Sequence, residues 1–403
     1  MKRIVIIDHF CKAPGETGNN RFIYLAELLC SKGLDVEVIT TTFAHINKKQ
    51  REINKLAIDN LPYKFTMLPE PGYPKNVCLK RFYSHFVFGN KLGKYLENIS
   101  KPDLVLISVP SLDVGEATRK YCKKYNIPFI VDIQDLWPEA FKLVIRIPII
   151  SDLLFMPMTL KANRIYAQAD RIIAVSEIYR QRGLHSNHKD GKGLCVYLGT
   201  DLDRFDSFCC NSSIEKKENE IWIAYVGTLG HSYNLEIIFD ALNLISLSEN
   251  QKVVFHILGD GPYFERFKDY SNKCKVECVF HGRLDYASMV SFLVKCDIAV
   301  NPIVKGAAQS VINKHADYAA AGLPIVNTQE CLEYRNMISH YQCGINSDVS
   351  DTKQVADAIS LLVNNAALRS KMGKASRKMA VECFDRKETY MKIIDVVNSL
   401  IND

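Results

Sequence analysis

The sequence is poor in the signals that place a protein at a glance. No stretch reaches the roughly 18 unbroken apolar residues of a membrane-spanning helix. The nearest, LVIRIPIISDLLFMPMTL from Leu143 to Leu160, is interrupted by Arg146 and Asp152. Pro148 and Pro157 also break its helical hydrogen bonding. The segment fits either a surface lying in a membrane interface or a buried helical hairpin. The start, MKRIVIIDHF, holds only a short apolar run before Asp8, so it reads as a first strand and not as a secretion leader. The 13 cysteines include no Cys-x-x-Cys pair. Scattered in this way, they read as free thiols in a reducing cytoplasm. The spacing of Cys274, Cys278 and His281 fits no zinc pattern. A complete G-x-G-x-x-G is also missing. Gly259-Asp-Gly261-Pro opens like one, but Phe264 stands where the third glycine would pack helix on strand. After the first strand stands Asp8-His9-Phe10 instead. Nicotinamide and flavin chemistry are disfavoured, and no cofactor is expected. Charge of one sign is scarce too. A net charge of +6 suits an anionic small ligand or an acidic membrane surface and is too weak for nucleic acid.

What the sequence does have is a sustained alternation of apolar runs and helical patterns. It has 403 residues, 47% hydrophobic and 24% charged, enough for two or three domains with sizeable cores. In the first half KRIVIID, VEVITTT, DLVLIS, PFIVDIQD and DRIIAVS read as buried strands. Helical patterns such as Arg21 to Lys32 and Gly115 to Tyr125 lie between them. Buried strands separated by helices indicate a parallel sheet covered on both faces. From Leu202 to Glu220 the rhythm stops in the polar stretch FDSFCCNSSIEKKENE, which reads as a linker. It restarts with IWIAYVG, VVFHILGDG, DIAVNPI and PIVNT, and closes on helical patterns over Asp351 to Met372 and Arg386 to Ile401. The expected architecture is α/β, with two facing Rossmann-like domains. Their bounds are residues 1–200, a linker over 201–220, residues 221–380, and a C-terminal helix in 381–403.

Four stretches carry chemistry. The richest is QSVINKHADYAAAGLPIV, Gln309 to Val326. It reads as a loop, a helix and a Gly322-Leu323-Pro324 turn into a buried strand. Ser310, Asn313, Lys314 and Asp317 gather at the helix start, where free N–H groups and the dipole favour an anion. Lys314 adds a cation for phosphate, and Asp317 an acceptor for sugar hydroxyls. Gly227-Thr228-Leu-Gly230 ends the first strand of the second half, so its amides can approach a diphosphate; a plain tight turn is the alternative. In the first half, the loop with Gly15 and Gly18 leads into Arg21, which could hold a phosphate or simply face solvent. Asp132-Ile-Gln134-Asp135-Leu-Trp137-Pro138-Glu139 follows a buried strand. Asp135 there could accept a proton or orient a hydroxyl, while Asp132 or Asp135 could equally cap a helix.

Taken in order, DIQDLWPE, VYLGTDLDRF, VGTLG with LGDGP, and NKHADYAAAGLPIV resemble glycosyltransferase family 4, with the GT-B fold, over nearly the whole chain. The similarity is to bacterial enzymes that build surface polysaccharides. It implies that the second half binds a nucleotide-diphosphate sugar, expected to be a UDP-sugar, and that the last helix crosses back to the first domain. The implied donor residues are Gly227, Thr228, Gly230, Gly259, Gly261, Arg283, Lys305, Gln309, Ser310, Val311, Asn313 and Asp317. Gln309 and Asp317 occupy the places of two family glutamates eight residues apart, so Asp317 is expected at the ribose hydroxyls and Gln309 at the donor sugar. The histidine that many members place near the acceptor strand is Gln134 here, which favours Asp135 as the active-site polar group. The implied acceptor residues are Gly15, Gly18, Arg21, Gln134 and Trp137.

The resemblance further implies a retaining, metal-independent hexosyl- or N-acetylhexosaminyl-transferase. No DxD-type pair stands in a credible place for a metal. Asp135 and Lys314 are the expected catalytic residues. Amides of Gly230, Ser310 and Val311, with Lys314, would stabilise charge on the leaving diphosphate. The implied acceptor is a polyprenyl-diphosphate-linked saccharide of O-antigen, capsule or exopolysaccharide synthesis. The 143–160 stretch and the basic Lys75, Lys80, Arg81, Lys91 and Lys94 are expected to dock the enzyme on the inner face of an anionic membrane. A nucleotide-sugar epimerase of the same fold and a non-catalytic glycosyltransferase-like subunit are the rivals.

Overall fold

A computed structural model describes residues 1–16, 20–142, 148–189, 191–209, 214–246, 251–307 and 310–402. The chain divides into two compact units, Met1–Val196 with Tyr390–Asp403, and Tyr197–Thr389.

The first unit is built on seven strands: β1 (Arg3–Ile7), β2 (Asp35–Thr41), β5 (Lys64–Leu68), β6 (Leu104–Val109), β7 (Phe129–Ile133), β8 (Arg171–Ala174) and β9 (Leu194–Cys195). A two-stranded hairpin, β3 (Phe43–Ala44) with β4 (Lys49–Gln50), projects beside them. The sheet is parallel throughout, in the order β5-β2-β1-β6-β7-β8-β9. All residues of β6 and β7 are buried, as expected of strands covered on both faces. Helix Arg21–Ser31 starts at Asn20, whose side chain accepts the Ile23 N–H, and turns Phe22, Leu25, Ala26 and Leu29 onto the sheet. Helix Leu112–Tyr125 stops at Asn126, which adopts a left-handed φ of 51°. The last helix, Met391–Ile401, belongs to this unit. Its Ile393, Ile394 and Val397 share a core with Ile4, Ile6 and Leu25.

The second unit holds β10 (Glu220–Val226), β11 (Lys252–Leu258), β12 (Glu277–Gly282), β13 (Ile298–Asn301), β14 (Ile325–Asn327) and β15 (Gly344–Asn346). Again the sheet is parallel, in the order β12-β11-β10-β13-β14-β15. Both sheets thus run outward from their first strand and then reverse. Such a reversal leaves a ligand crevice at the carboxyl ends of the central strands, β1 and β6 in one unit, β10 and β13 in the other.

The chain passes between units at Val196–Tyr197 and returns at Thr389–Tyr390, not at 200, 220 and 380. The stretch read as a linker opens with a helix, Leu202–Cys209, that buries Leu202 and Phe205 in the second unit's core. Spacing those two residues three apart places them on one helix face. Five residues of the Leu143 to Leu160 stretch, 143–147, lie outside the described residues. From Pro148 the chain forms one helix to Gln168 that leaves Leu153, Leu154, Met156 and Leu160 exposed. No helix among the described residues is long and apolar enough to cross a membrane.

Candidate functional site

In the second unit the two glycine turns interlock. The Gly227 N–H donates to the Leu258 carbonyl, the Leu229 N–H to Asp260, and the Tyr263 N–H back to Leu229. A Cβ on Gly259 would stand 1.8 Å from the Gly227 carbonyl oxygen, and one on Gly261 2.3 Å from the Leu229 oxygen. Only glycine permits this approach, which leaves bare backbone at the ends of β10 and β11. The Thr228 carbonyl accepts the Tyr225 hydroxyl at 2.7 Å.

Helix Asn313–Ala320 delivers Lys314 to this place. The lysine is buried, and its Nζ has no hydrogen-bond partner. Nζ stands 4.2 Å from the Tyr225 ring centroid and 4.1 Å from that of Tyr233. A Cβ on Gly227 would come within 2.9 Å of it. Burial drives the amine's pKa far below its ordinary value. A buried amine without a counter-charge is costly to hold in its charged form. One turn on, half-buried Asp317 accepts the Tyr286 hydroxyl at 2.8 Å, and that hydroxyl lies 2.8 Å from Thr200 Oγ1. Burial raises the Asp317 pKa to about 6, against the lowering effect of Tyr286.

Behind the helix start lies a polar network that the sequence did not announce. Asn301, Asn327 and Asn346 end three neighbouring strands at the same register. The Asn301 amide is 2.8 Å from that of Asn327, which is 2.9 Å from that of Asn346. Gln329 Nε2 donates to the Ser310 carbonyl at 2.8 Å. His315 Nδ1 accepts the Ile312 N–H at 3.3 Å, and its Nε2 meets the Asn301 amide at 3.1 Å. Gln329 and His315 thus hold the segment Ser310–Ile312, and Asn301 bonds to both of them. Ser310 and Val311 are buried, Asn313 exposed. Arg283 and Lys305 are exposed on the loops after β12 and β13, at the same end of the sheet. Gln309 lies outside the described residues.

In the first unit the expected site residues separate into two groups. Arg21 is buried and serves the fold. Its Nε is 2.7 Å from Asp132 Oδ2, and its Nη1 donates to the Val196 carbonyl at 3.0 Å and to the Tyr390 hydroxyl at 3.2 Å. Arg21 is therefore neither a surface phosphate contact nor solvent-facing, because its charge is matched internally by Asp132. Gln134 donates to the other Asp132 oxygen at 2.7 Å. Gly15 has φ +88° in a loop pinned by Arg51, which reaches Glu16 at 2.9 Å and the Cys11 carbonyl at 2.7 Å. Gly18 lies outside the described residues.

The second group faces the ends of β1, β2 and β7. Trp137 is buried, stacked on His85 with centroids 5.5 Å apart. Arg81 lies over it, 4.5 Å from the ring centroid. Arg81 is thus inside the unit, whereas Lys75, Lys80, Lys91 and Lys94 are exposed. Asp135 is half-buried, caps the Leu136 N–H at 2.9 Å, and has its pKa raised by burial. His9, absent from the expected set, uses both ring nitrogens: one on Glu70 at 2.5 Å, the other on Ser111 at 2.7 Å. Among the described residues no group of His, Cys, Asp and Glu is placed to hold a metal ion.

Two family models match, one in each half. The family described as Glycosyltransferase Family 4 matches residues 18–204, and that described as Glycosyl transferases group 1 matches residues 211–379. This chain belongs to glycosyltransferase family 4. A relative described as an uncharacterized glycosyltransferase, from Methanocaldococcus jannaschii, is 22% identical over 240 residues. That match covers 59% of this chain and 60% of the relative, so the chain spans less than two thirds of it. Among solved structures, sucrose-phosphate synthase from Thermosynechococcus elongatus is similar at a TM-score of 0.71 and 15% identity, covering 100% of both chains. Anabaena HepE, solved in complex with UDP, gives 0.67 and 12%, covering 99% of this chain and 100% of that one. At such identities the likeness shows the fold, which is GT-B. In this chain the structure brings Lys314, Gly227, Gly259 and Gly261 to one place. Tyr225, Tyr233, Gln329 and the asparagine ladder are the residues that sequence reasoning missed. Their one signal was an asparagine closing each of three apolar runs.

Proposed function

We propose that the protein transfers a sugar from a nucleotide-diphosphate donor, with retention, to a lipid-linked saccharide used in surface-polysaccharide synthesis. The observation that carries this reading is Lys314: a buried amine without a hydrogen-bond partner, facing glycine-bared backbone at the end of β10. A diphosphate supplies the missing counter-charge. As the sugar–phosphate bond breaks, negative charge grows on the leaving oxygens, where Lys314 and the amides of Gly230, Ser310 and Val311 stabilise it. Thr228, Gly259, Gly261, Asn313 and the exposed Arg283 and Lys305 complete the phosphate and base contacts. Asp317 accepts from the ribose hydroxyls, and Gln309 is the residue assigned to the donor sugar. Structures of HepE hold UDP and UDP-glucose, which supports uridine as the base.

For the acceptor, Gly15, Gly18, Gln134, Trp137 and Asp135 of the first unit are the assigned residues, with Asp135 orienting the incoming hydroxyl. Its raised pKa suits a hydrogen-bonding role. The Leu79–Leu96 helix exposes Leu79, Tyr83 and Phe86 at helical spacing, close to exposed Lys75 and Lys80. Apolar side chains among lysines suit the cytoplasmic face of an anionic bilayer, where a polyprenyl-diphosphate acceptor resides. WaaG, described as involved in lipopolysaccharide biosynthesis, has the same fold at a TM-score of 0.63 and 13% identity, with 97% of this chain and 99% of that chain covered.

The test is a panel of nucleotide sugars scored by released nucleotide, with and without a polyprenyl-diphosphate saccharide. Acceptor-dependent release from one UDP-sugar is the expected result. Turnover of donor without acceptor would point to an epimerase, and failure to bind UDP would sink the reading.

A further inference from the structure

The first unit contains a cation that donor binding does not use. Arg81, in the first turn of helix Leu79–Leu96, is 8% exposed, and its Nε has no hydrogen-bond partner. Its Nη1 donates to the Asn76 carbonyl at 2.8 Å. Among the described residues it forms no ion pair; burial works against its charge, and the Tyr73 hydroxyl and then Asp135 offset part of that. Buried guanidinium groups are normally matched by a carboxylate. Here aromatic faces take that place: Trp137 at 4.5 Å, Tyr73 at 5.4 Å and Phe10 at 5.6 Å from the guanidinium carbon.

A second cation shares the cage. Lys48 Nζ lies 5.2 Å from the same Tyr73 ring, whose hydroxyl is 2.5 Å from His45 Nδ1. The group is short of negative charge. Burial and then Arg81 lower the Lys48 pKa to about 8, and burial, Lys48 and Arg81 lower that of His45 to about 3. Phe10, His45, Lys48 and Asp135 are half-buried, so a solute can reach the rim while Arg81 forms the floor. The cage stands at the carboxyl ends of β1, β2 and β7, the crevice side of this sheet. A planar fork of N–H donors beside a lysine fits phosphate oxygens.

We propose that Arg81 and Lys48, set against the Tyr73 ring, form a phosphoryl-binding subsite of the first unit that takes the diphosphate of a lipid-linked acceptor. This rests on the acceptor reading above and gives it a definite place. Trp137 under the guanidinium is the reporter. The chain has two tryptophans, so Trp222→Phe leaves Trp137 alone. In that protein, inorganic pyrophosphate is expected to change the emission with saturation. The midpoint should rise about tenfold in Arg81→Gln and severalfold in Lys48→Gln, and stay put in Lys314→Met. The half-buried Lys48 keeps the test alive should Arg81→Gln fail to fold. No saturable change, or one that survives both substitutions, overturns the proposal. So does a response to glucuronate in place of pyrophosphate, or to phosphatidylglycerol vesicles alone, which would make the site a carboxylate or bilayer contact. Calorimetry with UDP on the same protein tests the donor site separately, so either reading can fail without the other.

Discussion

The two sheets share a strand order, yet their strand ends are finished in opposite ways. In the first unit charge is mostly matched inside: Arg21 with Asp132, Arg3 with Glu37, Arg51 with Glu16. Aromatic rings fill the space above the strands. In the second unit the ends are glycine turns and asparagine amides, and a buried amine brought among them, Lys314, is left unmatched. Matched charge is architecture, whereas unmatched charge next to bare backbone is the arrangement an anion-binding site needs. A matched buried cation such as Arg21 should therefore matter for stability, and an unmatched one such as Lys314 for chemistry.

The sharpest way to break that contrast is to remove the matched cation. Arg21→Met strands Asp132 in the core without its partner. About 3–5 kcal/mol of stability should be lost. Urea denaturation followed in the first unit measures it, and a loss below about 1 kcal/mol would mean the pair is not structural. Lys314→Met is the counterpart. It should cost two to three orders of magnitude in kcat/KM, or about 3–4 kcal/mol of transition-state stabilisation. Stability should hold or rise, since an unmatched buried amine is gone. If activity survives while stability collapses, Lys314 belongs to the architecture after all.

Strands with unbroken apolar runs were legible in the sequence because they are buried on both faces, and the glycine turns because they directly follow such strands. The role of Arg21 was not, since its partners lie 111, 175 and 369 residues away. The asparagine ladder stayed hidden for a related reason. Each asparagine looks like an ordinary strand end until the register sets Asn301 beside Asn327 and Asn327 beside Asn346. Strand β5 and the helix Leu79–Leu96 also escaped, the helix because apolar residues on its exposed side blur its period. Leu202 and Phe205 carried a readable helical spacing that the surrounding charge outweighed.

Gln329 tests whether the ladder serves the site. Its side-chain amide holds the Ser310 carbonyl, so Gln329→Leu leaves that carbonyl unpaired and loosens the loop. An effect of about 1–3 kcal/mol is expected. It should appear as a raised donor KM with a smaller change in kcat, and Gln329→Asn should restore part of it. Equal losses in kcat and thermal midpoint, with KM unchanged, would reduce the ladder to core structure.

The smallest effect should come from Asp317. Its pKa of about 6 in the folded protein exceeds the ordinary 3.8, and burial is the main cause. Between those values the folded state binds more protons than the unfolded state, so stability falls as pH rises from about 4 to 6 and stays lowered above that. Asp317→Asn removes the penalty and keeps an oxygen for the Tyr286 hydroxyl. At pH 7.5 the variant should be more stable than the parent by about 1 kcal/mol, discounted for partial exposure. Below pH 4 the two should coincide. UDP binding should weaken in the variant at pH 7.5, because a carboxylate accepts two ribose hydroxyls better than an amide does. Urea midpoints at the two pH values, with UDP affinity measured alongside, decide the matter. A variant less stable than the parent at pH 7.5 would show that Asp317 is a matched charge, of the first unit's kind, in the second unit.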